Sequence, residues 1–235
     1  MKIFAHRGLS SKYPENTLVA FEKALEYKIS GIETDVQLSK DGEMMIFHDE
    51  ILTRTTGVKG FLKDFTKAEL KKMNANNGYS GVYEIPTLDE LLDLLSKQNG
   101  LIINLELKTS VFEYLGIEKK VYDCIVKHGV KDRVIISSFN HESLVRMKEI
   151  DSSVKTGVLT GDRIFEAEHY CKNLNAENYH PFFATIKPER VALAHKLGIN
   201  VNVWTVDEAE YVKMMELSGV DVVMTNCCDK FVEKK

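Results

Sequence analysis

Gly31-Ile32-Glu33-Thr34-Asp35-Val36 is an apolar stretch that carries two carboxylates two residues apart. Ile32, Thr34 and Val36 have the composition of a buried strand. Side chains in a strand alternate between its faces, so Glu33 and Asp35 point the same way. Two anions side by side in such a place repel each other and lose hydration. Shared protonation relieves that, and so does a bound cation. The rest of the chain argues for the cation.

Working outward, short Val- and Ile-rich runs alternate with helical patterns. Ile3–His6 reads as a strand and Asn16–Tyr27 as a helix, followed by the strand Ile32–Gln37. Lys40-Asp41-Gly42 marks a turn, and Met44–His48 returns as a hairpin strand. Helix Thr87–Lys97 has Thr87 as a cap, with Asp89 and Glu90 in its first turn. Leu101–Lys108 is a strand and Val111–His128 a helix. Further strands are expected at Arg133–Ser138, Val154–Thr160, Ala176–His180, Ile199–Trp204 and Asp221–Thr225. Setting aside the return strand, eight strands alternate with helices. That pattern predicts an α/β fold, a closed (β/α)8 TIM barrel, compact at 235 residues. An open doubly wound sheet is the runner-up. Residues 1–235 read as a single domain. Residues of about 50–86 break the alternation, with Gly57, Gly60, Gly78 and Gly81 and one helical piece around Lys67–Met73. They read as a small insertion after the second strand, over the barrel mouth.

Composition narrows the function. Hydrophobic residues make up 44% and the formal charge is −4. This suits a globular protein with no nucleic-acid partner, which would favour a basic face. The first residues lack a signal-peptide core, and no stretch approaches membrane-spanning length. Cys124, Cys171, Cys227 and Cys228 show neither a disulfide framework nor a CxxC spacing. The expectation is a reduced, cytoplasmic protein without stable membrane association. Oligomeric state is not legible.

Polar residues recur at the C-terminal ends of the expected strands, where active sites of this fold lie. Glu33, Asp35 and Glu106 supply oxygen ligands without a Cys-His cluster, which suits Mg²⁺ or Ca²⁺, with Mn²⁺ as a further candidate. His6, in His6-Arg7-Gly8, and His48 are candidates for general acid and base. Arg7 and Lys108 add positive charge beside the acids, and a cation with Arg and Lys cradles a phosphoryl group. Trp204, the only tryptophan, is expected to cap the cavity. His180 is expected at most to line the mouth. His128, His141, His169 and His195 are expected to be structural. Phosphate-loop, dinucleotide and GxSxG signatures are absent.

Several motifs in order resemble the glycerophosphodiester phosphodiesterase family: His6-Arg7-Gly8, Pro14-Glu15-Asn16-Thr17, Ile32-Glu33-Thr34-Asp35-Val36, His48-Asp49, Arg54-Thr55-Thr56-Gly57, Asn104-Leu105-Glu106-Leu107-Lys108, Ser137-Ser138-Phe139 and Val203-Trp204-Thr205-Val206. The set spans nearly the whole chain. The resemblance implies a TIM barrel with an insertion after its second strand. It also implies metal ligation by Glu33, Asp35 and Glu106, an acid-base pair of His6 and His48, and Arg7 and Lys108 on the phosphate. It implies hydrolysis of small glycerophosphodiesters, such as glycerophosphocholine or glycerophosphoethanolamine, to sn-glycerol 3-phosphate and an alcohol. A lysophospholipid or phosphoinositide substrate, reached through Phe61, Leu62, Phe65 and Tyr79, is the alternative, as is a non-catalytic phosphate-binding barrel. The family usually shows Thr-Asp and soon a proline after the last strand. Here Thr225-Asn226-Cys227-Cys228 stands instead, a departure expected to touch the last loop and helix but not the catalytic set.

Overall fold

Apolar strands flanked by amphipathic helices have one compact solution here, a sheet rolled on itself inside a helical ring. A computed structural model describes all residues, Met1–Lys235. Its strands are β1 (Lys2–His6), β2 (Gly31–Leu38), β3 (Met44–Ile46), β4 (Ile102–Leu107), β5 (Val134–Ser138), β6 (Lys155–Thr160), β7 (Asn178–Pro181), β8 (Asn200–Val203) and β9 (Val222–Thr225). The order β1-β9-β8-β7-β6-β5-β4-β2 is parallel throughout, and β1 pairs with β2 to close an eight-stranded barrel. The open-sheet alternative is thereby excluded. β3 lies antiparallel on β2, with Val36 opposite Ile46, as the expected return strand.

The helices are α1 (Leu18–Leu25), α2 (Thr53–Thr56), α3 (Lys67–Leu70), α4 (Leu88–Leu95), α5 (Ile117–Lys127), α6 (His141–Ile150), α7 (Ala167–Asn173), α8 (Pro188–Lys196) and α9 (Ala209–Leu217). Thr87 caps α4 in a capping box with Glu90, satisfying donors the helix start would leave orphaned. α5 begins six residues later than its sequence pattern suggests. Tyr114 at φ 47° and Gly116 at φ 84° are left-handed and break the helix, leaving Val111 and Leu115 exposed on a loop. No helix follows β9: a 3-10 turn, Cys228–Lys230, stands in its place.

The main core lies between barrel and helices, a cluster of 43 buried residues including Ile32, Val36, Leu105 and Val203. Outward-facing positions of β2 thus feed this core, while Glu33 and Asp35 point into the barrel. Residues 50–86 hold α2, α3 and a separate cluster in which Leu52, Leu62, Leu70 and Ile85 pack beneath Met45 and Phe47. Leu62 is buried there, and Phe65 packs against it, so neither forms an apolar approach to the mouth. Lower in the barrel the lining is polar and uncharged. Asn104 donates to Ser137 Oγ at 2.9 Å, and Asn202 Nδ2 sits 3.0 Å from His180 Nε2. His180 is fully buried rather than at the mouth. A Cβ on Gly157 would come within 2.6 Å of its ring, so only glycine lets β6 pass there.

Candidate active site

Register brings the acids together. His6 of β1 lies opposite Glu33 of β2, and Asp35 lies opposite Glu106 of β4. Glu33, Asp35 and Glu106 each offer an oxygen within 4.8 Å of the others, and all three are buried. Asp35 Oδ2 accepts from Asn16 Nδ2 at 2.8 Å, and Glu106 Oε1 from Lys108 Nζ at 2.9 Å. Glu33 Oε2 and Asp35 Oδ1 have no hydrogen-bond partner. Burial, then the Asp35 and Glu106 charges, raises the Glu33 carboxyl well above the usual range. Burial likewise raises Glu106. Asp35 is held low against its burial by His48, Arg7 and Lys108. Two orphaned oxygens and a trio that cannot all ionise comfortably fit a hard divalent cation, whose charge resolves both.

Arg7 is at φ 57°, a left-handed position strained for a side-chain-bearing residue. Gly8 follows at φ 84°, and any Cβ there would collide at 2.6 Å with the α1 backbone at Ala20. This turn sets Arg7 over the acids: its Nε is 3.4 Å from Asp35 Oδ2, and its Nη1 donates to Glu15 at 3.0 Å. Lys108 Nζ lies 3.9 Å from Asp35 Oδ1. Burial opposes the charge on Lys108, but Glu106 and Asp35 more than offset it, so its pKa is raised.

The two histidines have different neighbours. His6 Nδ1 lies 2.7 Å from Asn226 Oδ1. The Asn226 amide is oriented by Asp207, whose Oδ2 accepts from Asn226 Nδ2 at 2.7 Å and whose Oδ1 accepts from the Asn226 backbone at 2.8 Å. A carboxylate only accepts, so Nδ2 faces Asp207 and Oδ1 faces the ring. His6 Nδ1 therefore donates, and Nε2 keeps its lone pair, 3.6 Å from Glu33 Oε2. Burial, then Arg7, lowers His6 to about 4. His48 Nδ1 meets a carboxylate, Asp49 Oδ1, at 2.6 Å. Asp49 in turn accepts from Arg54 Nε at 2.6 Å, and Arg54 donates to both oxygens of Glu15 at 2.7 and 2.8 Å. The chain Arg7–Glu15–Arg54–Asp49 thus links one side of the mouth to the other.

His6, Arg7, Glu33, His48, Glu106, Phe139 and Trp204 line one cavity of about 200 Å³. Trp204 stacks edge-on to Phe139 with centroids 5.5 Å apart and donates from Nε1 to the His180 carbonyl at 2.8 Å. A larger hollow of about 550 Å³ lies at the opposite end, among the strand starts. Chemistry in this fold sits at the strand C-termini, so its size carries no weight. The sequence singled out the cavity's charged groups but gave no role to Asn226, Asp207, Asp49, Arg54, Glu15 or Asn16. The departure at Asn226 is expected from the sequence to touch only the last loop and helix, yet its side chain contacts His6, one of the candidate catalytic residues. Of the strand-end serines, Ser137 bonds Asn104, and Ser138 Oγ donates to the Leu107 carbonyl at 2.8 Å.

A family model for the glycerophosphoryl diester phosphodiesterases matches residues 6–230. A Bacillus altitudinis protein named glycerophosphodiester phosphodiesterase is 41% identical over 99% of this chain and 97% of its own. One of the same name from Caldanaerobacter subterraneus is 40% identical, over 95% and 93%. Among solved structures, an Oleispira antarctica phosphodiesterase in complex with the product sn-glycerol-3-phosphate superposes with a TM-score of 0.89. It is 28% identical and covers 98% of this chain and 94% of its own. This chain belongs to the glycerophosphoryl diester phosphodiesterase family and is a phosphoric diester hydrolase.

Proposed function

We propose that the protein hydrolyses small glycerophosphodiesters, such as glycerophosphocholine and glycerophosphoethanolamine, to sn-glycerol 3-phosphate and an alcohol. One observation carries the reading: three buried carboxylates converge, two of them with an orphaned oxygen, and two of the three, Glu33 and Glu106, line one cavity with His6, His48 and Arg7, while Lys108 stands against Asp35 and Glu106. Glu33, Asp35 and Glu106 would hold a divalent cation, Mg²⁺ or Ca²⁺, with Mn²⁺ as a third candidate. When bound, it supplies Lewis-acid polarisation of a phosphate oxygen and offsets the charge of the diester.

The protein's own groups do the rest. Arg7 and Lys108 orient the phosphate and stabilise the charge that grows on its oxygens. Trp204 and Phe139 wall the glycerol side and exclude water. His6 is the base: its Nε2 lone pair is free because Asn226 occupies Nδ1, and the ring is neutral at pH 7. It takes the proton of the attacking oxygen, from water or from the substrate's own glycerol hydroxyl. His48 is the acid: Asp49 behind Nδ1 compensates a ring that carries both protons, and Nε2 delivers one to the leaving alkoxide. The cavity of about 200 Å³ is smaller than the roughly 300–1,000 Å³ typical of drug-sized ligands, which favours a short headgroup diester over a lysophospholipid.

Residues 1–235 act as one catalytic domain in this reading, with about 50–86 walling the mouth through Arg54. No helix is long and apolar enough to cross a membrane. Four buried free cysteines suit a reducing, cytoplasmic setting. The test is a coupled assay for sn-glycerol 3-phosphate release from both diesters. Release should stop with chelator and return with Mg²⁺, Ca²⁺ or Mn²⁺. No release with any of the three would overturn the proposal.

A further inference from the structure

On the outside of the barrel, two helices each bring a pair of metal-binding side chains to their shared seam. Asp89 and Asp93 are four apart on α4, hence on one face. Cys124 lies on α5 and His128 at its C-cap, again four apart. Asp89 Oδ1 is 2.7 Å from His128 Nε2 and 3.7 Å from Cys124 Sγ. The three donor atoms lie within 4.8 Å of one another. The other ring nitrogen, His128 Nδ1, is 3.5 Å from Asp93 Oδ1. Cys124 is 4% exposed and the His128 ring 9%, so the softer donors are presented from a protected seam.

We propose that Asp89, Cys124 and His128 form a second metal site, for a borderline-soft divalent ion such as Zn²⁺, with Asp93 steadying the histidine from behind. Zinc takes sulfur at about 2.3 Å and nitrogen or oxygen at about 2.0–2.2 Å. In a tetrahedron those lengths put sulfur and oxygen roughly 3.6 Å apart, and nitrogen and oxygen roughly 3.4 Å. The Asp89–Cys124 spacing already matches. The Asp89–His128 pair must open slightly, within the reach of a half-exposed aspartate. The metal–sulfur bond forms as the thiol proton leaves to solvent, and water completes the fourth position. Asp93 Oδ1, 3.5 Å from the far ring nitrogen, stands where a small approach would complete the carboxylate–histidine–metal arrangement that fixes a ligand's tautomer. Lys127 Nζ, 2.7 Å from Asp89 Oδ1, competes for that oxygen. Its side chain is 68% exposed and can swing into solvent. This donor set differs from the all-oxygen catalytic trio, so the two sites select different ions.

The difference supplies the test. Chelator-stripped full-length protein is titrated with Co²⁺, and the near-ultraviolet thiolate-to-cobalt absorption is followed. The catalytic trio has no thiolate and stays silent. One Co²⁺ equivalent should give the band, and Zn²⁺ should abolish it. Glu106→Gln should keep it, and Cys124→Ala should lose it while retaining diesterase activity. His128→Gln should lose it too. Asp93→Asn, at a site 72% exposed, leaves the fold alone and should weaken Co²⁺ affinity by about 10–100-fold. Absence of the band in the wild type, or its survival in Cys124→Ala, would overturn the proposal. If Cys124→Ala does not fold, unchanged affinity in Asp93→Asn does the same.

Discussion

His6 and His48 face one cavity from two differently built walls. The His6 wall is sheet: β1 and β9 run side by side, and a neutral amide, Asn226, meets the ring. The His48 wall is a return strand and a loop braced by ion pairs through Asp49, Arg54 and Glu15. In the proposed mechanism the same side chain serves opposite proton traffic, according to what stands behind it. A neutral partner and deep burial keep His6 unprotonated. His48 instead has an anionic partner, Asp49, against Nδ1.

Substituting either histidine should have the largest effect and can break that contrast. His6→Ala and His48→Ala should each cost about 10²–10⁴ in kcat on glycerophosphocholine, with the fold intact. On a diester with a nitrophenolate leaving group, which needs no protonation, His48→Ala should recover most of its rate and His6→Ala should not. Recovery of His6→Ala alone would exchange the two assignments.

The partners come next. Asn226→Asp makes the two walls alike. In the proposed mechanism His6 acts as a neutral ring, and burial, then Arg7, holds its pKa low, so loss of the neutral form should limit activity only on the acid side. An anion on Nδ1 favours the protonated ring, so the acid limb of kcat/KM should move to higher pH. An unmoved limb would show that Asn226 does not tune His6. Arg54→Ala should do less: its pairs are part-exposed, each worth about 0.2–1 kcal/mol, so a loss below about fivefold in kcat is expected, diminishing with salt.

A fourth measurement concerns stability below the mouth. Burial lowers His180 to about 3, so between pH 6.5 and 3 the unfolded chain binds a proton that the folded one refuses. The folded state is fully favoured above pH 6.5 and loses ground as the pH falls. At pH 4.5 this amounts to about 2–3 kcal/mol. Urea unfolding of wild type and His180→Gln at pH 7 and 4.5 should show the acid loss shrinking by that much in the variant.

The barrel was legible in the sequence because each strand announces itself locally, through apolar composition and a polar residue at its C-terminal end. The acids were legible too: Glu33 and Asp35 share one face of an apolar strand, and Glu106 lies at the C-terminal end of another. The partners of the histidines were not. Asn226 contacts His6 across 220 residues of chain, and nothing in either neighbourhood encodes that meeting. Asp49 was visible beside His48, but its bond to Arg54 depends on a turn whose shape has no periodicity. The start of α5 was misplaced because Val111 and Leu115 have helical spacing yet sit exposed before two left-handed residues. Asp89, Cys124 and His128 are each ordinary surface or helix residues until two helices are laid side by side.

Because β9 is the last strand made and zips against the first, the amide that sets His6 arrives only when the ring is complete. A chain still short of that strand holds its acids, its cations and both imidazoles, yet lacks the amide that orients the proposed proton acceptor. On the proposed mechanism, activity should therefore require closure of the barrel, and clipping ahead of Val222 should leave an inert remnant.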